Sequence, residues 1–592
     1  MMKMYHSNII NSMIDKLKYV VDCVGRQDCL FNTELKWDAD PFFSGKLALA
    51  IAIILTEESS LDLRLRQKYV VLLHKTLQQP CESWGRYYYL LALWKLQQQN
   101  QLSTVFSASI LEELEKKLNW NEMVVEPEYI LAESFPTNFY GVAFSIARLR
   151  FLLGWESEIH AQAILQRLIA HYSLYSSEGF ADETEGHGRF DRYSILLVAE
   201  ICQRHLETGM PVTDSLIEPL KHSVNLVLQL LNTQGVGFTW GRSIGAYGDS
   251  AFIEILVVAL QLGLLTPEQQ QAAQAFTCAC SERFDSFWFD AEQRSVNLWF
   301  RGRKTDNYRG THRIAGENIT LLYQHIYVHQ LWRNIVGEVK PLNTNLPGYC
   351  ASLPAVQHIY FQQGTRPRSI FILRDKSRLF TLPLINGDRH YHSSSPYFPL
   401  PFSAGLFSGV ADGTLPYWIP CLHTEDGRLL MPLVFFQNPE YHHTTDGLEI
   451  TFYTQQMNCV GRQTEQGSVW LTEPEQASEY RCMTRYRFSA GKLEREDTLF
   501  LPGSGTTKLT LFGATFACST HQIIDEHCAQ LNYDEGALNQ LTLQGYTSCQ
   551  SQHYQEDSQW CTPTGAWQEA ITADVVLPTQ TQQKTVSWTI EY

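Results

Sequence analysis

Apolar residues recur at helical spacing through the first part of the chain. In the segment 137–153 they fall at positions i, i+3 and i+4, which predicts a helix that buries one face. Gly154 follows directly and is suited to end this helix, because glycine adopts a left-handed conformation without strain. Further along, Thr266, Pro267 and Glu268 combine an N-cap residue, a first-turn proline and a first-turn acid. These three residues predict the start of another helix.

Twelve helical segments can be drawn in this way. Their approximate ranges are 8–25, 43–56, 61–78, 83–99, 104–118, 137–153, 158–174, 191–207, 213–232, 247–263, 267–282 and 315–336. Because short loops join many of them, antiparallel helix pairs are favoured. We predict a mainly α domain over residues 1–340, an incomplete (α/α) toroid of about six helix pairs with a central cleft. The longer connections, near 175–190, 233–246 and 284–313, are expected to carry function.

The pattern changes after Gly348, where short runs of β-branched and aromatic residues alternate with turn residues. Examples are Ser369–Leu373, Leu448–Tyr453 and Leu509–Phe512. The last run, Thr585–Tyr592, alternates apolar and polar residues and is predicted to be an edge or outer strand. Many strands without intervening helices predict an antiparallel β-sandwich over residues 348–592. We place the boundary between the two domains at Pro341–Pro347.

Composition limits the classes of partner. The chain has 592 residues, which is too long for one hydrophobic core, and its length suggests about two to four domains. Its formal net charge of −16 argues against nucleic-acid binding, because nothing supplies the basic face that phosphates need. Aromatic residues make up 12% of the chain and suit stacking on sugars, although sandwich cores use aromatics as well. An anionic sugar is compatible with the acidic charge, provided that its site concentrates Arg and His.

The chain is predicted to be soluble and cytoplasmic. Its N-terminus has no apolar stretch long enough for a signal peptide, and no run of about 18 apolar residues occurs. The 14 cysteines are scattered without a CxxC pair, which favours reduced, mostly buried thiols over a disulfide framework or a zinc site. No cofactor and no metal are predicted, and the sequence leaves open whether the chain forms a homo-oligomer.

Three clusters of polar and aromatic residues lie where predicted helices begin. They are Asn138-Phe139-Tyr140, the glycine-spaced run 179–193 and the run 238–249. In a toroid these helix ends can converge on one rim, and helix N-termini favour anionic ligands. Each cluster brings Tyr or Trp beside Asn, His or Arg. This recurrence favours a binding site, with Tyr140, Arg189, Tyr193 and Trp240 among its substrate-binding residues.

Each of these clusters also has an ordinary structural interpretation. The alternatives are a helix cap for Asn138, helix core for Tyr247, a hydrophobic plug for Trp240 and a solvated ion-pair cluster for Arg189, Asp191 and Arg192. His187 lies between two glycines in a polar loop, so a place in a packed core is not expected for it. A functional role is therefore favoured more strongly for His187 than for the others.

A fourth cluster, over residues 297–318, is the most basic stretch of this acidic protein. Its arginines can grip the carboxylates of uronic acids through two parallel hydrogen bonds, because the guanidinium group is planar. On this interpretation Arg301, Arg303, Tyr308 and His312 form a substrate-binding wall. The alternative is a charged surface loop.

Two reactions on a uronic-acid-containing carbohydrate fit these residues. β-Elimination must neutralise the uronate carboxylate, remove the C5 proton and protonate the leaving oxygen. Asn138, His187, Arg242 and Tyr247 supply these functions without a metal, and we predict them as the catalytic residues. Hydrolysis instead needs two carboxylic acids with separated pKa values. Its candidates are Asp182, Glu183, Glu185, Asp191 and Asp249.

The three helix starts resemble a bacterial family first described as a domain of unknown function, which includes the β-glucuronidases of glycoside hydrolase family 154. The stretches that carry the likeness are Asn138 to Gly154, Gly179 to Ser194, and Gly241-Arg242-Ser243 with Tyr247 shortly after. The order of toroid and sandwich is also similar to that of heparinase II/III-like and alginate-type polysaccharide lyases. Both resemblances imply action on uronic acids.

The predicted partner is therefore an acidic oligosaccharide or polysaccharide, and neither a nucleic acid nor a membrane. A polysaccharide lyase is slightly favoured, because the residue set for elimination is complete. A β-glucuronidase-like glycoside hydrolase is the alternative, and a non-catalytic carbohydrate-binding protein is the second alternative.

Overall fold

The computed structural model describes the 592-residue chain with the exception of several short segments. These are residues 1–4, 59–60, 134, 184–185, 187, 301–302, 304–308, 365–366, 387–397, 407–415, 435, 446, 461–478, 516–520, 525–527, 535, 554–560, 563–564 and 567–568. Four predicted site residues, Glu185, His187, Arg301 and Tyr308, therefore lie outside the described residues.

Helices occupy the first part of the described chain. They are α1 (Tyr5–Arg26), α2 (Phe43–Glu57), α3 (Leu63–Lys75), α4 (Ser83–Gln98), α5 (Leu102–Val105), α6 (Ala108–Lys117), α7 (Phe139–Leu152), α8 (Glu158–Leu174), α9 (Arg192–Glu207), α10 (Asp214–Leu230), α11 (Ala246–Gln261), α12 (Pro267–Arg283), α13 (Ile314–Val336) and α14 (Asn345–Ser352). Every predicted helical segment coincides with a helix, which confirms the helical first part of the fold. The pattern does not predict α14, because eight residues are too few to display a helical period.

Six helices form the inner circle of the toroid. Each packs on the next and the last returns to the first, in the order α2, α4, α7, α9, α11 and α13. Helices α2 and α11 are buried over almost their whole surface, as expected for helices that are apolar all round. Others pack outside this circle: α1 lies on α13, α8 on α7 and α12 on α11.

Two predicted helix ends have the expected local chemistry. Thr266 caps α12 in a full capping box, because its hydroxyl accepts from the Gln269 amide while the Gln269 side chain binds the Thr266 amide. Gly154 follows α7 with φ +78°, the left-handed conformation that a side chain would strain. The local sequence therefore sets where these two helices begin and end.

Strands follow the helices. The long part of the β region comprises β7 (Val356–Gln362), β8 (Arg368–Asp375), β9 (Arg378–Ile385), β10 (Cys421–His423), β11 (Leu429–Met431), β12 (Phe436–His443), β13 (Gly447–Thr454), β14 (Asn458–Cys459), β15 (Arg481–Ser489), β16 (Lys492–Phe500), β17 (Thr507–Thr515), β18 (His521–Ile524), β19 (Cys528–Asn532), β20 (Gln540–Gln544), β21 (Ser548–His553), β22 (Cys561–Thr562), β23 (Gly565–Ala566), β24 (Glu569–Leu577) and β25 (Gln583–Glu591). Short hairpins within the helical part are β1 (Cys29–Leu30) with β2 (Thr33–Glu34), β3 (Val124–Val125) with β4 (Ile130–Leu131), and β5 (Phe289–Asp290) with β6 (Ser295–Val296).

Two large antiparallel sheets make up the sandwich. In one the strand order is β12-β13-β15-β16-β25-β20-β19-β18, and in the other it is β14-β11-β10-β17-β24-β21. Trp418 joins them, because its ring lies over Gly513 of β17 and packs edge-on against Trp588 of β25. The Trp588 indole N–H donates to the Trp418 carbonyl at 2.9 Å. The predicted antiparallel sandwich is thus confirmed.

The prediction of an edge position for the final strand is wrong. Strand β25 lies inside the larger sheet, paired with β16 on one side and with β20 on the other. The alternation of residues 585–592 is real, since Val586, Trp588 and Ile590 are buried. Alternation shows that one face of a sheet is covered and the other is not, and it contains no information about neighbours in the plane.

A three-stranded sheet of β7, β8 and β9 connects the two parts of the molecule. Phe361 of β7 stacks on Phe190, which precedes the inner helix α9. Arg374 of β8 donates to the Gln229 and Leu231 carbonyls at the end of α10, at 2.8 and 2.7 Å. The three-stranded sheet therefore supports the loop before α9 through Phe361 and the end of α10 through Arg374. The predicted boundary at Pro341–Pro347 falls between α13 and this sheet, where α14 packs on α12.

None of the helices among the described residues combines the length and the apolar character that crossing a membrane requires.

Candidate functional site

The inner helices all direct their N-terminal ends to one cavity of about 310 Å³. Each of the six contributes residues from its first turns or from the loop just before it. The wall residues are Phe42, Lys46, Trp84, Tyr88, Asn138, Phe139, Arg192, Tyr193, Glu200, Arg242, Tyr247, Arg309, Arg313, Thr320 and Gln324. Helix N-termini carry partial positive charge, so six of them pointing at one space favour an anionic occupant.

Tyr247, at the start of α11, lies in the cavity wall with its hydroxyl donating to Glu317. The guanidinium of Arg309 lies 4.0 Å from the centre of the Tyr247 ring and donates to the same Glu317 carboxylate at 2.9 Å. Burial, and then the neighbouring Glu317 carboxylate, raise the pKa of Tyr247 well above its usual value. The phenol is therefore a proton donor at neutral pH.

Glu317 is held as a carboxylate by three cations. Burial acts to raise its pKa, but the charges of Arg309, Lys46 and Arg313 outweigh burial and lower the pKa to about 2. Arg313 lies 3.5 Å from Glu317, and it also pairs with Asp40 at 3.3 Å. Lys46 completes the network through Asp40 at 3.1 Å. This network fixes the acceptor for the Tyr247 hydroxyl on one side of the cavity.

The predicted Gly-Arg-Ser turn forms another part of the wall. Arg242 pairs with Glu183 and lies 3.4 Å from Asp191, and its guanidinium stacks over the Tyr193 ring at 4.3 Å. Burial raises the pKa of Glu183, Arg242 opposes this effect, and the result is a pKa of about 7. Gly241 is required at its position because it has φ +73° and a side chain there would collide with Asp191.

Ser243 closes this turn in a strained conformation. Its φ of +57° is in the left-handed region, which residues with a side chain seldom adopt. In return its hydroxyl lies 3.3 Å from the Tyr193 hydroxyl and accepts from Arg309 at 3.1 Å. The turn thus couples the α9 and α11 helix starts to the basic stretch before α13.

Asn138 lies in the wall without serving as a helix cap. Its side chain makes no capping hydrogen bond with α7, and its backbone is already helical at φ −61° and ψ −18°. The side chain is 5% exposed, and its Oδ1 has no hydrogen-bond partner within the described part of the chain. The amide is therefore available to a ligand in the cavity.

A smaller chamber of about 60 Å³ continues from the cavity and shares Trp84, Tyr88, Asn138 and Glu200 with it. Glu254 of α11 faces this chamber. Burial raises the pKa of Glu254 to about 8, with Arg192 opposing and Glu200 adding to the shift. Burial also raises the pKa of Glu200. Both acids of this chamber therefore hold their protons more tightly than an exposed glutamate does.

Other predicted binding residues lie away from this cavity. Tyr140 is buried, with its hydroxyl accepting from the Leu131 amide at 3.2 Å. Trp240 is 1% exposed and its indole donates to the Phe190 carbonyl at 3.1 Å, so it is the hydrophobic plug of the alternative interpretation. Neither Tyr140 nor Trp240 is among the described residues that line the cavity.

Three basic residues that were predicted to bind substrate also lie away from this cavity. Arg303 donates to the Phe287 carbonyl at 2.6 Å and stacks over that ring. His312 is exposed on the short turn before α13, and Arg189 donates its backbone N–H to Asp182 at 3.1 Å. Within the basic stretch it is Arg309 and Arg313 that line the cavity instead.

The carboxylates considered for hydrolysis are engaged in local structure where they are described. Asp182 accepts from the backbone N–H groups of Gly188 and Arg189. Asp191 caps α9 by accepting from the Tyr193 amide at 2.9 Å. Asp249 accepts from the Gly237 amide, Trp288 and Arg283. The cavity wall contains none of these three carboxylates.

The sequence analysis did not assign Lys46, Arg192, Glu200, Arg309, Arg313 or Glu317 to the site. Two of them had a local signal, because Arg313 and Glu317 are four residues apart at a helix start and can share one face. Lys46 lies within α2 and Glu200 within α9, and neither has a recognisable motif around it. Only the closure of the inner circle brings them to the cavity.

Comparison with known proteins adds to this picture of the fold. No family model matches the chain, and no curated protein matches it either. Among solved structures, heparinase III is similar with a TM-score of 0.56 and 10% identity, covering 98% of this chain and 84% of that one. The chondroitin AC lyase of Streptomyces coelicolor A3 is similar with a TM-score of 0.50 and 10% identity, covering 98% and 79%.

This chain shares the fold of heparinase III. The predicted similarity to the heparinase II/III-like layout is thereby confirmed for the fold. The resemblance to the family that includes glycoside hydrolase family 154 has no matching family model, so it stays a prediction.

Proposed function

We propose that the protein cleaves a uronic-acid-containing oligosaccharide or polysaccharide by β-elimination, with residues 1–340 as the catalytic domain. The fold shared with heparinase III and a chondroitin AC lyase supports a glycan-degrading enzyme. The observation that carries the choice of reaction is the Tyr247 phenol, which lies in a cation-lined cavity and keeps its proton there, since its pKa is raised rather than lowered. A neutral phenol is suited to protonate a leaving oxygen.

The reaction assigns one role to each group. A base, for which His187 is the predicted residue, takes the C5 proton of the uronate, and the C5–H electron pair becomes the C4–C5 double bond. The C4–O bond breaks, and Tyr247 delivers its proton to the departing oxygen. Asn138 and Arg242 stabilise the negative charge that develops on the carboxylate during proton removal. Glu317 and Arg309 hold the phenol in place.

Hydrolysis of a β-glucuronide is the second candidate, and Glu200 is the observation that favours it. Glu200 lies in the cavity wall, and burial raises its pKa, which is the condition for a carboxylic acid that donates a proton. Against this, the three described aspartates considered for the second carboxylate are bound to backbone or to other side chains. Three of the four residues predicted for elimination, Asn138, Arg242 and Tyr247, line the cavity, and this supports elimination over hydrolysis.

A panel of uronate-containing oligosaccharides separates the candidates. Ultraviolet absorbance of an unsaturated uronate and release of reducing ends are followed in the same reaction. Absorbance that rises with the new reducing ends supports elimination, whereas reducing ends without absorbance contradict it and favour hydrolysis with Glu200. If neither signal appears, a non-catalytic carbohydrate-binding protein is favoured. A cytoplasmic location, which we retain as a proposal, suits short oligosaccharides better than intact polymers in this panel.

A further inference from the structure

Five cationic side chains line the cavity among the residues that the structure describes, and four of them are paired with carboxylates. The pairs are Lys46 with Asp40 at 3.1 Å, Arg313 with Asp40 at 3.3 Å, Arg309 with Glu317 at 2.9 Å, and Arg242 with Asp191 at 3.4 Å. The fifth is Arg192. Its situation differs from that of the other four.

Arg192 is the first residue of α9 and is 3% exposed. Its guanidinium lies near two aromatic rings, at 4.9 Å from the centre of Tyr193 and 5.7 Å from that of Tyr247. Within the described part of the chain it makes no side-chain hydrogen bond and no ion pair, and its Nε is buried without a partner. Ring contacts alone do not satisfy the five N–H donors of a guanidinium.

A buried guanidinium cannot escape this situation by losing its proton, because its pKa is too high. Burial and the neighbouring Arg309 act to lower the pKa of Arg192, but Tyr193, Glu254 and Glu200 outweigh them and the pKa is raised. Within the described part of the chain neither carboxylate forms an ion pair with Arg192, and burial raises the pKa of Glu254 to about 8, so Glu254 supplies only part of a counter-charge at neutral pH. The unliganded protein thus retains a buried positive charge that faces the cavity, and an anion is what this arrangement lacks.

We infer that Arg192 is the receptor for the carboxylate of the sugar, which it binds through two parallel hydrogen bonds beside Tyr193 and Tyr247. This inference deepens the proposed function and rests on it, since it places the uronate next to the Tyr247 phenol. The other four cations are each paired with a protein carboxylate, so Arg192 supplies the unpaired charge that selects the ligand, while Arg242 acts on the charge that develops during the reaction. Arg192 then distinguishes a uronic acid from the corresponding neutral hexose.

Calorimetric titration with D-glucuronate and with methyl β-D-glucoside tests the inference. The wild type is expected to bind glucuronate about 10- to 100-fold more tightly than the glucoside, the range for hydrogen bonds to a charged partner. Arg192→Met is expected to lose this preference. Arg167→Met, the same change on the exposed surface of the outer helix α8, is the matched control and should bind as the wild type does.

Equal binding of the two sugars by the wild type, or binding of neither, overturns the inference. So does an Arg192→Met protein that keeps the preference. Arg192→Lys serves as a second variant, because it keeps a charge without the planar fork. It should bind glucuronate at least about 10-fold more weakly than the wild type, and unchanged affinity contradicts two-point binding.

Thermal unfolding separates this role from a structural one. Removing an unpaired buried charge should leave the melting temperature of Arg192→Met unchanged or higher, and glucuronate should raise the melting temperature of the wild type alone. Arg495→Met removes a guanidinium that is fully paired in the sandwich core, and its melting temperature should fall. A fall of similar size in Arg192→Met, without loss of glucuronate preference, would assign Arg192 to packing.

The inference and the proposed function fail in different ways. If glucuronate binding depends on Arg192 but no oligosaccharide is cleaved, the receptor stands and the lyase proposal is rejected. If unsaturated product forms with the same KM in Arg192→Met as in the wild type, the lyase proposal stands and the receptor is rejected.

Discussion

Among the residues that the structure describes, one buried cluster of arginine, tyrosine and carboxylate lies at the toroid cavity and another lies in the sandwich. In the sandwich Arg495 is completely buried and donates to Asp497 at 2.7 and 2.9 Å. It also donates to the Tyr486 hydroxyl at 2.7 Å, and that hydroxyl donates to the Pro399 carbonyl at 2.6 Å. Every group in this cluster has a protein partner.

The toroid cluster is built from the same residue types and is left incomplete. Tyr247 and Arg309 both donate to Glu317, whereas within the described part of the chain Arg192 beside them contacts only aromatic rings. Asn138 Oδ1 also lacks a partner among the described residues. Burying polar groups is costly unless they are hydrogen-bonded, so a complete cluster stabilises a fold and an incomplete one beside a cavity indicates a ligand site.

The largest expected difference between the clusters concerns their tyrosines. Tyr247→Phe should lower turnover by about 100- to 10,000-fold, the usual contribution of a positioned proton donor, and should leave glucuronate binding in place. Tyr486→Phe is the matched control in the sandwich. It should leave turnover unchanged and lower the free energy of unfolding by about 1–3 kcal/mol, because Arg495 and Pro399 lose a partner. Near-normal turnover by Tyr247→Phe would remove this phenol from the mechanism.

An effect of intermediate size is expected on the pH dependence of stability, through the ionisation of Glu317. Its pKa is about 2 in the folded protein against an ordinary 4.5, so its stabilising contribution is present above pH 4.5 and is lost as the pH falls towards 2. The shift corresponds to about 3 kcal/mol. Urea unfolding should show that the wild type and Glu317→Gln become more similar in their free energy of unfolding as the pH falls. The difference between them should narrow by up to about 3 kcal/mol between pH 4.5 and pH 2. A difference that stays constant over this range for Glu317→Gln would contradict the assigned ion pairs.

The smallest effect is expected at a helix start. Asn138→Ala should change the free energy of unfolding by less than about 0.5 kcal/mol, because the side chain makes no capping hydrogen bond. Asp62 accepts from the Arg64 and Leu65 amides at the start of α3, so Asp62→Ala should cost about 1 kcal/mol. Turnover should fall only in Asn138→Ala. A loss of stability equal to that of Asp62→Ala, with normal turnover, would return Asn138 to a structural role.

Much of the secondary structure was predictable because its causes are local. The Thr266 capping box and the glycine at residue 154 depend on neighbours a few residues away, and apolar spacing reports which helix faces are buried. Strand β25 marks the limit of this reasoning. Its alternation predicted a strand correctly and its position in the sheet wrongly, since pairing partners are remote in sequence.

Some of the predicted site residues line the cavity, and others in similar loops do not. The wall contains Asn138, Tyr193, Arg242 and Tyr247, which stand at or just before helix starts that converge. Trp240 lies in the same kind of loop but packs inward on Phe190, because loop composition does not determine which way a side chain points.

The sequence by itself determined that a helical region precedes a β region, where most helices begin and end, and that polar and aromatic residues gather at several helix starts. Only the tertiary structure decided which of those side chains share a cavity. It paired Arg309, Arg313, Arg242 and Lys46 with carboxylates and, among the described residues, left Arg192 without one. The physical reason is that burial and charge pairing depend on distances across the closed circle of helices, and no pattern along the chain contains those distances.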